Sequence, residues 1–162
     1  MTAIEIELAV AKFLNWRTHL IIPNVSWGLF DYEMDMAVIT KSNRLWEVEI
    51  KVSKSDLKAD LKKRRQHNDH RVSRLYFAIP ESLVPNIELI PERAGVLMVL
   101  PDFKVIEIRK PKILPAPALD TQEINKLQKL LSMRIWGLKR KLIRMRNSRQ
   151  THPARNPTDE TF

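Results

Sequence analysis

Between Asp31 and Lys51 the chain reads DYEMDMAVITKSNRLWEVEIK, and this stretch limits the fold more than any other. Side chains alternate between the two faces of a strand. The even positions are apolar or bulky: Met34, Met36 and Val38, then Trp46, Val48, Ile50 and Val52. The odd positions carry Asp31, Glu33, Asp35, Ala37 and Ile39, then Leu45, Glu47, Glu49 and Lys51. The pattern predicts two strands, roughly 32–40 and 44–52, joined at Lys41-Ser42-Asn43. A turn centred on Ser42 sets Asp35 opposite Glu49 and Glu33 opposite Lys51. Close to the turn the odd face is apolar, so both faces of the sheet are expected to be covered there. Further from the turn, that face becomes a group of carboxylates with one lysine.

Like charges facing each other across strands destabilise a sheet. One lysine cannot neutralise so many acids, which calls for a cation. Mg²⁺ fits, because it takes oxygen ligands and is usually held by one or two carboxylates plus a phosphate. The plainer alternative is a solvated acidic strand face. The spacing D-x13-E-x-K, formed by Asp35, Glu49, Ile50 and Lys51, resembles the motif of the PD-(D/E)XK nuclease superfamily, although Met34 stands where that motif has proline. The run Val25-Ser26-Trp27-Gly28-Leu29, followed by Glu33-Met34-Asp35 and by Glu47 through Ser53, is similar to phage-type nuclease-like proteins over about Val25 to Lys63.

The resemblance implies a Mg²⁺-dependent DNA nuclease of phage or bacterial DNA-repair type, with Mn²⁺ able to substitute. Asp35, Glu49 and a carbonyl such as that of Ile50 would hold the metal, and Lys51 would position the attacking water or stabilise the transition state. One further glutamate is expected from the first helix. Glu7 falls inside that helix's apolar arc, whereas Glu5 shares the polar side with Lys12, so Glu7 is nominated. Glu33 and Glu47 rank as accessory ligands or as rim charges. The helix after the E-x-K is expected beside the site, with Lys62, Lys63 and Gln66 as local candidates.

Charge supports a polyanionic substrate. Residues 1–50 carry a net −3, residues 51–74 a net +6 and residues 120–162 a net +6, within an overall +9. An acidic patch between basic segments suits a phosphate backbone held on metal ions. Lys54, Lys58, Lys62, Lys63, Arg64 and Arg65 are the nucleic-acid candidates on one segment, and Lys139, Arg140, Lys141 and Arg144 on the other. No cysteine is present, so disulfides and thiolate metal sites are excluded. His67 and His70 stand three apart with no third ligand evident in the sequence, and zinc is rejected on that ground. No secretory pattern or membrane-length apolar run appears, and a cytoplasmic location is expected.

Thr2 and Glu5 form a capping-box pair for a first helix to about Asn15 or Trp16. An edge strand follows at 19–22, stopped by Pro23. Ser53 and Ser55 are cap candidates for a helix to about Asn68. Strands are expected at 74–79, 95–100 and 104–108, with a short helix broken at Pro85. The order α-β-β-β-α-β predicts an α/β fold: a three-layer α/β/α sandwich around a mixed central sheet, with a long C-terminal helix. The expected divisions are a core at 1–110, a Pro-rich linker at 111–119, a basic amphipathic helix at 120–146 and a disordered tail at 147–162. The helix's stripe (Ile124, Leu127, Leu131, Ile135, Leu138, Leu142, Met145) implies packing on the core or on a second copy as a homodimer. Two other readings compete with the nuclease. One is a nucleic-acid-binding protein that keeps the fold with little catalysis; the other is a partner-binding protein that uses the stripe.

Overall fold

The structure, a computed structural model, describes residues 1–25, 30, 32–61, 67 and 69–151, with the backbone alone at 60, 61 and 148–151. Helix α1 spans Ala3–Phe13 and opens on the expected capping box: Glu5 N–H donates to Thr2 Oγ1, and Thr2 N–H donates to Glu5 Oε2 at 2.6 Å. It ends at Leu14, and Asn15 then takes the left-handed conformation at φ 57°. Strand β1 spans Leu20–Val25. Pro23 lies inside it instead of stopping it, paired with Met36. That is permitted because β1 is an edge strand, where a missing N–H breaks no ladder bond on the open side.

β2 (Met34–Ile39) and β3 (Leu45–Ile50) form the expected hairpin. Met36 pairs with Val48, Ala37 with Glu47 and Val38 with Trp46, so one more step places Asp35 opposite Glu49. Asn43 closes the turn at φ 58°, a conformation that asparagine tolerates well. Helix α2 (Lys54–Leu61) starts with Asp56 N–H donating to Ser53 Oγ at 3.2 Å. β4 (Val72–Pro80) is central and parallel to both β3 and β5 (Gly95–Val99). A 3₁₀ segment at Glu81–Leu89, kinked at Asn86 beside Pro85, stands where the short helix was expected. β6 (Val105–Arg109) pairs antiparallel with β5.

The sheet runs β1-β2-β3-β4-β5-β6 and is mixed. Its even face packs Met36, Val38, Val48, Ile50, Tyr76 and Ala78 against Ile6, Ala9, Val10 and Leu14 of the α1 layer. Its odd face packs Leu75, Phe77 and Ile79 against Leu57 of α2 and Leu83 and Ile90 of the 3₁₀ layer. This is the α/β/α sandwich. Residues 110–120 have no regular structure but are fastened to the core. Lys112 N–H donates to Arg93 O, Leu114 N–H to Ser73 O and Leu119 N–H to Asn43 O, at 2.8–2.9 Å. The compact unit accordingly runs Met1–Ile124, and a second unit begins at Asn125. Helix α3, Thr121–Thr151, opens on a reciprocal Asp120–Glu123 cap and continues past Arg146 into the stretch read as tail.

Candidate metal centre

β3 aims Glu47, Glu49 and the following Lys51 to the odd side of the sheet, and all three are almost fully buried, at 0%, 5% and 6% exposure. Burying carboxylates is unfavourable unless each oxygen finds a partner. Tyr32 Oη donates to Glu47 Oε2 at 2.7 Å, and burial together with the Glu47 charge raises the Tyr32 pKa. Glu47 Oε1 contacts His67 Nδ1. Without a metal a proton lies between the two, and a bound ion would displace it. Lys51 Nζ donates to Glu49 Oε2 at 2.8 Å. Among the described residues Glu49 Oε1 is buried with no hydrogen-bond partner, and His67 Nδ1 lies 3.9 Å from it. Burial and then the charge of Asp35 push the Glu49 carboxyl up to about 7, against the pull of Lys51 and His67.

Ligand atoms of Glu47, Glu49 and His67 all lie within 4.8 Å of one another. This is a group that can hold a metal ion. Asp35 stands beside it, half-buried, and its Oδ2 accepts the Ile50 N–H at 2.8 Å. The peptide between the glutamate and the lysine is thereby tied to the acid on the neighbouring strand. Glu33 is exposed. Glu7 is half-buried on α1, in the layer that covers the even face, and is not one of the three grouped residues. Lys54 and Lys58 are exposed on α2. Lys62, Lys63, Arg64, Arg65 and Gln66 lie outside the described residues.

The set differs from the expected one in two ways. Glu47, ranked as accessory, is the most buried acid of the cluster. His67 was set aside because its only visible companion was His70, yet His70's side chain is 81% exposed and His67 turns inward. His67 adopts φ 68°, its carbonyl accepts from Arg93, and its ring meets Tyr32 and Phe77 edge-on at 5.9 and 5.8 Å. Its third partner lay 20 residues upstream rather than nearby. On α3, Lys139, Arg140, Lys141 and Arg144 are exposed, as are Ile135, Trp136, Leu138 and Leu142.

Fold and site together define an α/β sandwich protein in which two buried carboxylates on the second strand of a hairpin meet a histidine from beyond α2. Residues 1–128 match the model of the family described as DNA repair protein MmcB-like, and the chain belongs to this family. No curated protein matches it in sequence. A solved protein of unknown function from Silicibacter pomeroyi is similar in fold, at 16% identity and a TM-score of 0.62, over 98% of both chains. Among the described residues no helix is long and apolar enough to cross a membrane.

Proposed function

We propose that the chain is a metal-dependent DNA nuclease of the PD-(D/E)XK type, acting in repair. The observation that carries this reading is the buried Glu49 Oε1, which has no partner among the described residues and is held against Asp35, Glu47 and His67. A site made for binding alone has no need of an ionisable oxygen sealed from water without a partner. A divalent cation there would polarise a phosphate oxygen and acidify a water. Asp35, Glu49 and the Ile50 carbonyl are the nominated ligands, with Glu47 and His67 beside them. Lys51, fixed by Glu49 Oε2, would stabilise charge on the phosphate.

The carboxylates and carbonyl suit Mg²⁺ and Mn²⁺ alike, and of the two Mn²⁺, a transition-metal ion, gains more from an imidazole. Glu7 lies on the α1 layer across the sheet from this cluster, and its nomination rests on the family resemblance alone. The basic side chains of α2 and α3 would hold the backbone, and the α3 stripe would pair with a second copy. The test uses labelled DNA with Mn²⁺ or Mg²⁺, and calorimetric titration of each ion. Asp35→Asn and Glu49→Gln should abolish cleavage in a folded protein. His67→Gln should weaken Mn²⁺ at least tenfold and Mg²⁺ much less. Full cleavage by either acid variant would refute the assignment.

A further inference from the structure

The even side of the same hairpin carries a second feature, which the metal centre does not use. A groove of about 930 Å³ opens beside the β2–β3 turn. Lys41, Arg44, Arg74, Trp46 and His19 line one side, and residues 113–117 form the other. Among the described residues no carboxylate lines it. Glu107 accepts from the Tyr76 hydroxyl at 3.2 Å.

Its walls are fixed by the backbone. The β3–β4 register shifts between Leu45 and Trp46, because Leu45 pairs with Val72 but Trp46 with Arg74. The extra residue, Ser73, donates its hydroxyl to Leu45 O at 2.8 Å, and its carbonyl accepts the Leu114 N–H at 2.9 Å. Irregularities of this kind re-aim a side chain. Here the Arg74 guanidinium comes to lie over the Trp46 ring, 4.8 Å from its centroid. His19 and Tyr76 pack against the same indole at 5.6 and 6.1 Å, and among the described residues His19 Nδ1 is buried with no hydrogen-bond partner. The 113–117 wall is held at one end by Leu114 and beyond the other by Leu119, bonded to Asn43 O.

Cations alternating with a planar stack, with no acid between them, match an anionic ligand that also presents flat faces. Bases stack on aromatic rings and on guanidinium planes, and the backbone tracks the positive charge. A duplex hides its base faces, so charge and stacking are used together only by an unpaired strand. We infer that this groove binds single-stranded nucleic acid, separately from the metal centre. Trp46 and Glu47 are consecutive on β3 and point to opposite faces, so strand and metal would sit back to back across one sheet. The inference builds on the reading of the chain as a DNA-handling protein but needs no cleavage.

The test is fluorescence anisotropy with a fluorescein-labelled oligo(dT) of about twelve nucleotides and its duplex with oligo(dA), in EDTA. Wild type should bind the single strand. Trp46→Leu, and separately Lys41→Gln with Arg44→Gln, should lower that affinity at least tenfold while moving duplex affinity less than threefold. The double variant should also flatten the salt dependence on single strands by about 1.4 in log–log slope. Lys41 and Arg44 are exposed, so this variant keeps the test valid even if Trp46→Leu unfolds. No binding of oligo(dT), equal losses on both ligands, or an unaffected double variant would overturn the inference. A protein that bound oligo(dT) here yet cut nothing would keep this inference and lose the nuclease reading. Cleavage without groove binding would do the reverse.

Discussion

Glu49→Gln should stabilise the metal-free protein at alkaline pH, and the size of the effect follows from the site. The carboxyl sits near 7 in the fold against an ordinary 4.5, because it is buried first and faces Asp35 second. Each tenfold change in proton affinity is worth 1.36 kcal/mol, so ionising this group in the fold costs about 3 kcal/mol. Below 4.5 both folded and unfolded chains are protonated there, and the full stability is present. As pH rises from 4.5 through 7, the unfolded chain has lost the proton while the fold still holds it, and stability falls. Glutamine mimics the protonated acid and cannot titrate. In EDTA the variant should match wild type near pH 5 and exceed it at pH 8 by about 3 kcal/mol, or about 6–12 °C in melting temperature. Denaturant melts of both proteins across pH 4.5–8.5 measure this, and the difference between them isolates Glu49 from other titrations. Wild type should recover the gap when Mn²⁺ is added, and the variant should not. An identical pH slope in the two proteins would refute the reasoning.

Three further outcomes follow from particular contacts. Glu7→Gln should weaken metal binding or turnover while Glu5→Gln leaves both unchanged, since Glu5 is engaged with Thr2 at the start of α1; equal effects would return Glu7 to a packing role. Gly95→Ala would place a Cβ 2.7 Å from Tyr76 Cδ1 and 2.8 Å from Pro111 Cδ, and should cost about 1–3 kcal/mol in a denaturant melt. Replacing Lys139, Arg140, Lys141, Arg144 and Arg146 with glutamine should flatten the salt dependence of duplex binding by up to about 4.5 in log–log slope; an unchanged slope would leave α3 as a packing element.

The parts of the fold legible in the sequence are those set by local periodicity. The period-two run gave the β2–β3 register to the residue, because a slip by one would bury Asp35 and Glu49 on the α1 face. The two capping pairs, Thr2–Glu5 and Asp120–Glu123, marked helix starts for the same local reason. What stayed hidden depends on distant partners. His67 fell inside the span expected to be helix to about Asn68, yet it takes φ 68° and turns inward to Glu47 and Arg93. The proline stretch read as a stiff spacer, yet three backbone bonds to Arg93, Ser73 and Asn43 make it a wall of the core. The edge position of β1 was legible, but Pro23 read as its end, because the sequence does not show that the missing N–H faces the open side.

The cost of ionising Glu49 also bears on the choice between enzyme and simple binder. Asp35 is held by the Ile50 N–H and Glu49 by Lys51, yet one oxygen of Glu49 finds no match among the described residues. Replacing the cluster with uncharged side chains of similar size would relieve that cost, and a protein that only gripped DNA would lose nothing by it. A phosphate brought to the odd face without a cation would meet three carboxylates and be repelled. With a cation between them, the same carboxylates become the attraction, and the energy stored in the empty fold is returned on binding. Instability without metal and affinity for metal are therefore two measures of one quantity. Any variant of Asp35, Glu47 or Glu49 that raises the first melting temperature should lower metal affinity by a corresponding factor, about tenfold for each 1.4 kcal/mol.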